Sequence, residues 1–540
     1  MKLAGLTLAT CALLGSLADA QARVVHPDRA IEPTVPTSAA RFGRSVAVDG
    51  DRLLVGASEA SIFGRASGLA YLFERQGDGS WLEVDQFAPL APTPSLVRFG
   101  SHVALDGDVA VVASGATATP APYVSIFERG SGGVWTRTAD LSAPSADDVG
   151  FGAAIAVDAG RLVVTTKGSG FFGLNPGHAY VYEKVGGTWS VVGSVNATVA
   201  GLDSGFGTTV ALSGDRLALG QRTDGAGGAT GAGTVLVAER QTNGAWLVTD
   251  TVLDPTPGIG AAFGAKVALE GERLVVGAWN GDAAAIDGGE VHAYARQANA
   301  TWLHEAEITA SDAAVADAFG AALALDGDTL VVGAPGAQAA NGTNAGAAYL
   351  FERRPDGTWF QSARVEHEFP TSFDALSNFA SNSIATDDGH VFLGTEGRDG
   401  FEGEVSELDL LPLLHGDTLI FASTGGAQSY EIRAGASRAG DGYLVLGSVT
   451  GDAPAIDLGG GVFLPLVLDA YTLQTAAFNA PILGAFGPLG PDGEASAIYY
   501  ATQSVATTFV GVVAYHAVLT IDLVTFEVWT TNAVAVELVP

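Results

Sequence analysis

A phenylalanine followed by a small residue returns seven times along the chain, at Phe42, Phe99, Phe151, Phe206, Phe263, Phe319 and Phe379, at intervals of 52 to 60 residues. A second marker keeps phase with it. Fourteen residues after the Phe an apolar run ends at Gly56, Ala113, Thr165, Gly220, Gly277 and Gly333, and fifteen residues after it at Gly394 in the last copy. A tryptophan closes each of the first six copies, at Trp81, Trp135, Trp189, Trp246, Trp302 and Trp359. Three markers in phase over most of the chain define a repeat protein, in which each unit buries its faces against its neighbours.

Each copy reads as four strands. The first gives residues 44–48, a turn at Asp49-Gly50, then 52–56, a longer loop, 69–75, a turn at Gly77-Asp78-Gly79, and 81–87. Asp-Gly between short apolar runs is a strong hairpin signal. It recurs at Asp106-Gly107, Asp326-Gly327 and Asp356-Gly357, while Ser213-Gly214 and Glu270-Gly271 keep the glycine that a positive-φ turn position needs. Residues 53–55 and 330–332 are apolar on both faces, as a sheet stacked between two others requires. Four antiparallel strands repeated radially make a β-propeller. The fold class is all-β: a seven-bladed propeller over residues 23–411, then a C-terminal domain over 412–540. There, short apolar runs punctuated by Gly425-Gly426, Gly459-Gly460-Gly461 and Pro491-Asp492-Gly493 suggest a β-sandwich.

Seven Phe markers against six repeated Trp markers leave the seventh blade without a fourth strand. An unpaired blade edge invites aggregation and leaves the ring open. Residues of roughly 24 to 33 are expected to supply that strand, antiparallel to residues 403–409.

The repeats resemble FG-GAP repeats, the units of the integrin α-chain propeller. Phe319-Gly320 and Gly333-Ala334-Pro335 carry the resemblance most directly, with Phe42-Gly43/Gly56-Ala57-Ser58 and Phe263-Gly264/Gly277-Ala278-Trp279 as variants. Many members of that family hold calcium between the first two strands, in a loop that alternates acids with glycine. Here the link is a tight turn. Asp49-Gly50-Asp51, Asp106-Gly107-Asp108 and Asp326-Gly327-Asp328 offer two carboxylates each, and Asp158-Ala159-Gly160 offers one, too few for an ion that takes six to eight oxygens. The seventh copy, Asp387-Asp388-Gly389, is also too short. The family's metal sites are therefore not carried over, and these acids read as solubilising turn residues. The expectation is no metal, no cofactor and no catalytic residue. The residual alternative is a weak calcium site in a longer loop: 280–290 with Asp282, Asp287 and Glu290, 338–346 with Asn341 and Asn344, or 398–404 with Asp399, Glu402 and Glu404. Loop 223–233 is nearly all Gly, Ala and Thr.

The same residues carry no recognisable enzyme signature. An Asp box of the sialidase kind places Asp five residues before Trp, whereas Asp78 and Asp356 stand three before Trp81 and Trp359. The repeated Trp reads as packing between blades. No His-Glu-x-x-His motif is present, and His102, His178, His292, His390 and His516 fall at no helical or hairpin ligand spacing. His178 and His292 sit at nearby third-strand positions, which reads as variation at a half-exposed site. Gly130-Ser131-Gly132 and Gly168-Ser169-Gly170 lack the strand-to-helix turn of a nucleophile elbow. Asn196, Asn299 and Asn341 head glycosylation triplets.

Charge narrows the partners. With 26 Lys+Arg against 59 Asp+Glu, the net charge of -33 repels phosphate backbones, so nucleic acid is excluded as a main partner. Residues 1–22 read as a secretory signal. Lys2 precedes an apolar core over 3–17, and Ala18-Asp19-Ala20 and Ala20-Gln21-Ala22 are small-x-small cleavage sites. Cys11 and Met1, the only Cys and Met, fall inside it, so the processed chain has no disulfide. No later apolar run spans a bilayer. The expected protein is exported, to the medium or the cell surface with the periplasm left open. It binds or adheres to a protein or glycan through loops on a rigid propeller, its ligand-binding residues unassigned. A polysaccharide-active enzyme and a structural matrix component are the alternatives.

Overall fold

The computed structural model describes most of residues 23–409 and, beyond them, the backbone of the strands alone. Residues 1–22 and parts of several loops, among them 90–96, 116–122, 168–176, 198–204, 339–344, 367–382 and 396–402, lie outside the description. The expected signal segment, Phe379, Asn341, Asn344, Asp399 and Glu402 fall there. Among the described residues every element is a strand.

Seven four-stranded antiparallel meanders form the propeller. Their first strands are Phe42–Asp49, His102–Asp106, Ile155–Asp158, Val210–Ser213, Lys266–Glu270, Ala322–Asp326 and Ile384–Asp387. Each lies against the first strand of the next blade, and Ile384–Asp387 lies against Phe42–Asp49, so the ring is closed around seven inner strands. The cores sit between blades. Phe87, Phe99, Phe127 and Trp135 join blades 1 and 2, and Val237, Phe263, Tyr294 and Trp302 join blades 4 and 5. The Phe of each of the first six copies is buried.

Two glycines explain the repeat signature. The one after the Phe takes a positive φ of 77 to 89° in the first six copies, a left-handed conformation that costs any residue with a Cβ. The one ending the second strand faces the next blade. A Cβ on Gly56, Gly220, Gly277 or Gly394 would overlap the carbonyl oxygen of Gly100, Gly264, Gly320 or Gly43 respectively. Where blade 3 has Thr165 instead, its hydroxyl donates to that carbonyl, Gly207 O, at 2.6 Å. Backbone bridges from Gly68, Gly233, Gly289 and Gly403 to Phe99, Phe263, Phe319 and Phe42 tie each of these blades to its successor.

The ring closes through the N-terminal segment. Arg29–Ile31 pairs antiparallel with Glu404–Asp409, Arg29 opposite Glu407 and Ile31 opposite Val405. Ile31 enters a core with Phe42, Tyr71, Phe392 and Val405, and Trp81 of blade 1 meets Phe392 of blade 7 edge-on at 5.4 Å. The expected closing segment is split, however. Arg23–Val25 adds instead to the outer strand of blade 6, Trp359–Val365, so one short segment covers two exposed edges.

The compact unit spans Val24–Leu408, and residues from Asp409 form a second. The second contains a four-stranded sheet built around Gly426–Arg433 and Glu494–Ala501. A six-stranded sheet is built around Gly442–Ser448 and Val513–Ile521, with one parallel pair between Leu419–Phe421 and Val534–Val539. A two-stranded ribbon, Ile456–Gly459 with Val462–Leu464, completes it.

Candidate functional site

A meander places its 1–2 and 3–4 turns on one face of the ring and its 2–3 and 4–1 loops on the other. On the turn face, acids that end first strands reach across to the next blade. Asp49, Asp106 and Glu270 accept the amide of the next blade's turn, from Gly107 at 2.6 Å, Gly160 at 3.4 Å and Gly327 at 2.8 Å. Asp158 accepts from Gly214, Asp387 from Gly50 across the closure, and Ser213 Oγ from Gly271 at 3.0 Å. Arginines opening the second strands complete the clasp. Arg52, Arg161, Arg216 and Arg273 donate to the carbonyls of Gly107, Gly214, Gly271 and Gly327 and pair with Asp108, Asp215, Glu272 and Asp328. These turn residues, expected to be solubilising, form a girdle that joins blade to blade. The donors are fixed backbone groups, so a carboxylate one blade away meets them without reorganisation.

On the loop face, neighbouring loops are tied in series around blades 4 to 6. Gly260 N donates to Thr230 O at 2.9 Å, Asn280 N to Ala261 O at 3.3 Å and Ala316 N to Ile286 O at 3.0 Å. A cavity of about 300 Å³ opens among them, lined by Thr256, Ile259, Asn280, Asp282, Glu290 and Glu307 among others. Ile259, on the cavity wall, is 87% exposed, and Ile286 and Val315, on the linked loops, are 66% and 67% exposed.

Behind the cavity lies a buried cluster. The third strand of blade 5, Glu290–Arg296, alternates its side chains, so Glu290, His292 and Tyr294 share the face toward blade 4. Asp254 follows the last strand of blade 4, Trp246–Leu253, and meets them. His292 Nε2 lies 3.4 Å from Glu290 Oε1 and 3.8 Å from Asp254 Oδ1. Its Nδ1 lies 3.2 Å from Nε2 of His304, on the fourth strand Trp302–Ile308. Tyr294 Oη donates to Leu253 O at 2.9 Å, fixing the blade 4 edge against the strand. Glu290 Oε2 accepts the Ala283 amide at 3.1 Å, and a Cβ on Gly281 would strike its carboxyl carbon. Asp254 Oδ1 accepts the Thr256 amide at 2.8 Å, whereas buried Oδ2 has no hydrogen-bond partner. Burial pushes the Asp254 pKa up, against the Thr256 amide and His292, which pull it down. Burial lowers that of His304, with His292 adding to the effect.

His292 is thus fully buried, not half-exposed as its strand position suggested, and it does have a histidine partner. The two lie on adjacent strands diagonally across a bulge between Ala293 and Tyr294, a spacing that a strict hairpin register does not give. The readable signal was the alternation Glu290-x-His292-x-Tyr294, where blades 1 and 6 carry Leu69-x-Tyr71 and Ala347-x-Tyr349. His178, in blade 3, has a different fate. Its Nδ1 and the Tyr180 hydroxyl both lie 2.8 Å from the Asp148 carboxylate, one bond to each oxygen. On the innermost strands near the loop face, Arg44 and Lys266 bring positive charge toward His102. His102 is held down at about 3 by burial and then by Lys266, Arg44 and Lys167.

A ring of blades joined through buried Phe and Gly contacts, with a polar cleft on its loop face, defines a repeat β-propeller. Residues 31–73 and 302–351 match the family model described as FG-GAP repeat. Both matches start on the outer strand of one blade and run to the third strand of the next, the phase that ring closure imposes. The chain is an FG-GAP-repeat β-propeller, a fold often used for binding and adhesion. No curated protein matches it. Among the described residues, no helix is long and apolar enough to cross a membrane.

Proposed function

We propose that the protein is an exported, non-enzymatic binding or adhesion protein that engages a protein or glycan through the loop face at blades 4 to 6. One observation carries the reading. Loops tied to one another by backbone bonds hold a polar cleft with exposed Ile259 on its wall, and the same set of loops exposes Ile286 and Val315, a mixture of apolar anchors and polar lining that recognition sites use. The girdle on the opposite face supports it by making the ring a rigid platform. FG-GAP repeats are typically extracellular, and residues 1–22 carry the pattern of an export signal. The basic side chains Arg44 and Lys266 on the inner strands, with His102 beside them, are unlike the paired carboxyls that glycoside hydrolysis uses.

A glycan and extracellular-protein array probed with the purified protein, followed by a reducing-end assay on every glycan bound, tests this reading. Retention without released sugar, abolished by the combined Ile259→Asp and Ile286→Asp substitutions, is the expected result. Released reducing ends would replace it with the polysaccharide-active reading.

A further inference from the structure

We propose that Asp254, Glu290 and His292 form a binding site for one divalent transition-metal cation of the Zn²⁺ type, at the junction of blades 4 and 5. The site is independent of the turns between first and second strands, where Asp49, Asp106, Asp158, Glu270 and Asp387 accept backbone amides, and it does not depend on the adhesion reading.

Three observations converge. The donor atoms lie within 4.8 Å of one another, and all three residues are buried. A tetrahedral ion with ligand distances of about 2.1 Å separates its ligands by about 3.4 Å. The His292–Glu290 separation is 3.4 Å and the His292–Asp254 separation 3.8 Å, so small rotations complete the triangle. Second, Asp254 Oδ2 is buried and unpartnered, the condition that a buried carboxylate avoids unless a cation completes it. The comparable histidine at the blade 2–3 junction shows what a complete arrangement looks like, since both oxygens of Asp148 there are engaged by His178 and Tyr180. Third, the outer shell is in place. His304 Nε2 faces His292 Nδ1, and a proton held between those two atoms on Nδ1 leaves the Nε2 lone pair for a metal. The Ala283 and Thr256 amides orient the two carboxylates. Glu290 also lines the cavity, which gives an ion its entry path and leaves a fourth position for water or a ligand group. One imidazole with two carboxylates suits Zn²⁺ or Mn²⁺ better than Ca²⁺, which needs more oxygens than the cluster offers.

The test uses untagged protein stripped with chelator and then titrated with Zn²⁺, Mn²⁺ and Ca²⁺ by calorimetry, with melting temperature followed in parallel. One equivalent of Zn²⁺ should bind saturably and raise the melting temperature as its concentration rises. Asp254→Asn and His292→Gln should weaken binding by more than ~100-fold, His304→Phe by ~10-fold or more, and Asp148→Asn not at all. Co²⁺ on the wild-type chain should give the visible bands of a four- or five-coordinate site, a readout independent of any variant. Absence of saturable Zn²⁺ and Mn²⁺ binding, a response to Ca²⁺ alone, or undiminished binding in folded Asp254→Asn protein would overturn the proposal.

Discussion

On the turn face, Asp49, Asp106, Asp158 and Glu270 each hold a turn amide of the next blade; on the loop face, Asp254 and Glu290 converge on a buried imidazole, with one carboxylate oxygen unpartnered. The residue chemistry is the same, and the difference is backbone geometry. Tight turns of nearly constant length present an amide and a carbonyl at a fixed place, so among the described residues an acid, or Ser213, meets the next turn at six of the seven blade boundaries and an arginine at four. The loops between blades vary in length and composition, and groups on them are positioned individually. The lesson is that the repeat makes one face structural and leaves the other free to vary.

The largest effect should come from the loop-face end of the second strands. Gly394→Ala would drive a Cβ into the Gly43 carbonyl across the ring closure, and we expect a loss of about 3 kcal/mol or more. Gly50→Ala on the turn face meets nothing within 4 Å and carries only the strain of φ +55°, about 1 kcal/mol. Urea midpoints of the two variants measure the contrast, and equal losses would remove it. Ile31→Asp places a charge in the closing core, where the wild-type side chain is 5% exposed, and should cost about 3 kcal/mol with enhanced aggregation. An unchanged midpoint for this variant would mean that the closing strand is not needed.

Smaller effects probe the girdle and the axis. Glu270→Ala removes the acceptor for the Gly327 amide and should cost about 1.5 kcal/mol. A calorimetric melt that does not move would reduce that bond to a surface ornament. The last effect is a pH dependence. The folded-state pKa of His102, about 3, lies below the ordinary 6.5, so the unfolded chain takes up the proton first. Its contribution is complete above about pH 6.5 and is lost as pH falls toward 3, up to about 1 kcal/mol over the first unit. His102→Gln should flatten that limb of the stability curve relative to wild type.

The repeat and its ring closure were legible because both rest on local chemistry: Phe-Gly pairs, Asp-Gly turns and a missing seventh Trp. The strand Arg29–Ile31 could be placed by counting alone. The girdle was hidden because its bonds join residues more than fifty positions apart, such as Asp49 and Gly107. The cluster was hidden for a related reason. Asp254 belongs to the end of one blade and His292 to the middle of the next, and the bulge at Ala293 brings His304 within reach where simple register would not. From the sequence Glu290 reads as a loop acid and His292 as variation at a half-exposed strand position.

The division between a structural and a recognising face is tested most directly by one paired binding measurement. Whatever ligand the array identifies is titrated against the Ile259→Asp/Ile286→Asp variant and, in parallel, against Asp51→Asn/Asp108→Asn on the turn face, with melting temperatures recorded for both. Binding should fall by more than ~10-fold in the first and stay within about twofold in the second. Equal binding by the loop-face variant, or loss confined to the turn-face variant, would contradict the account.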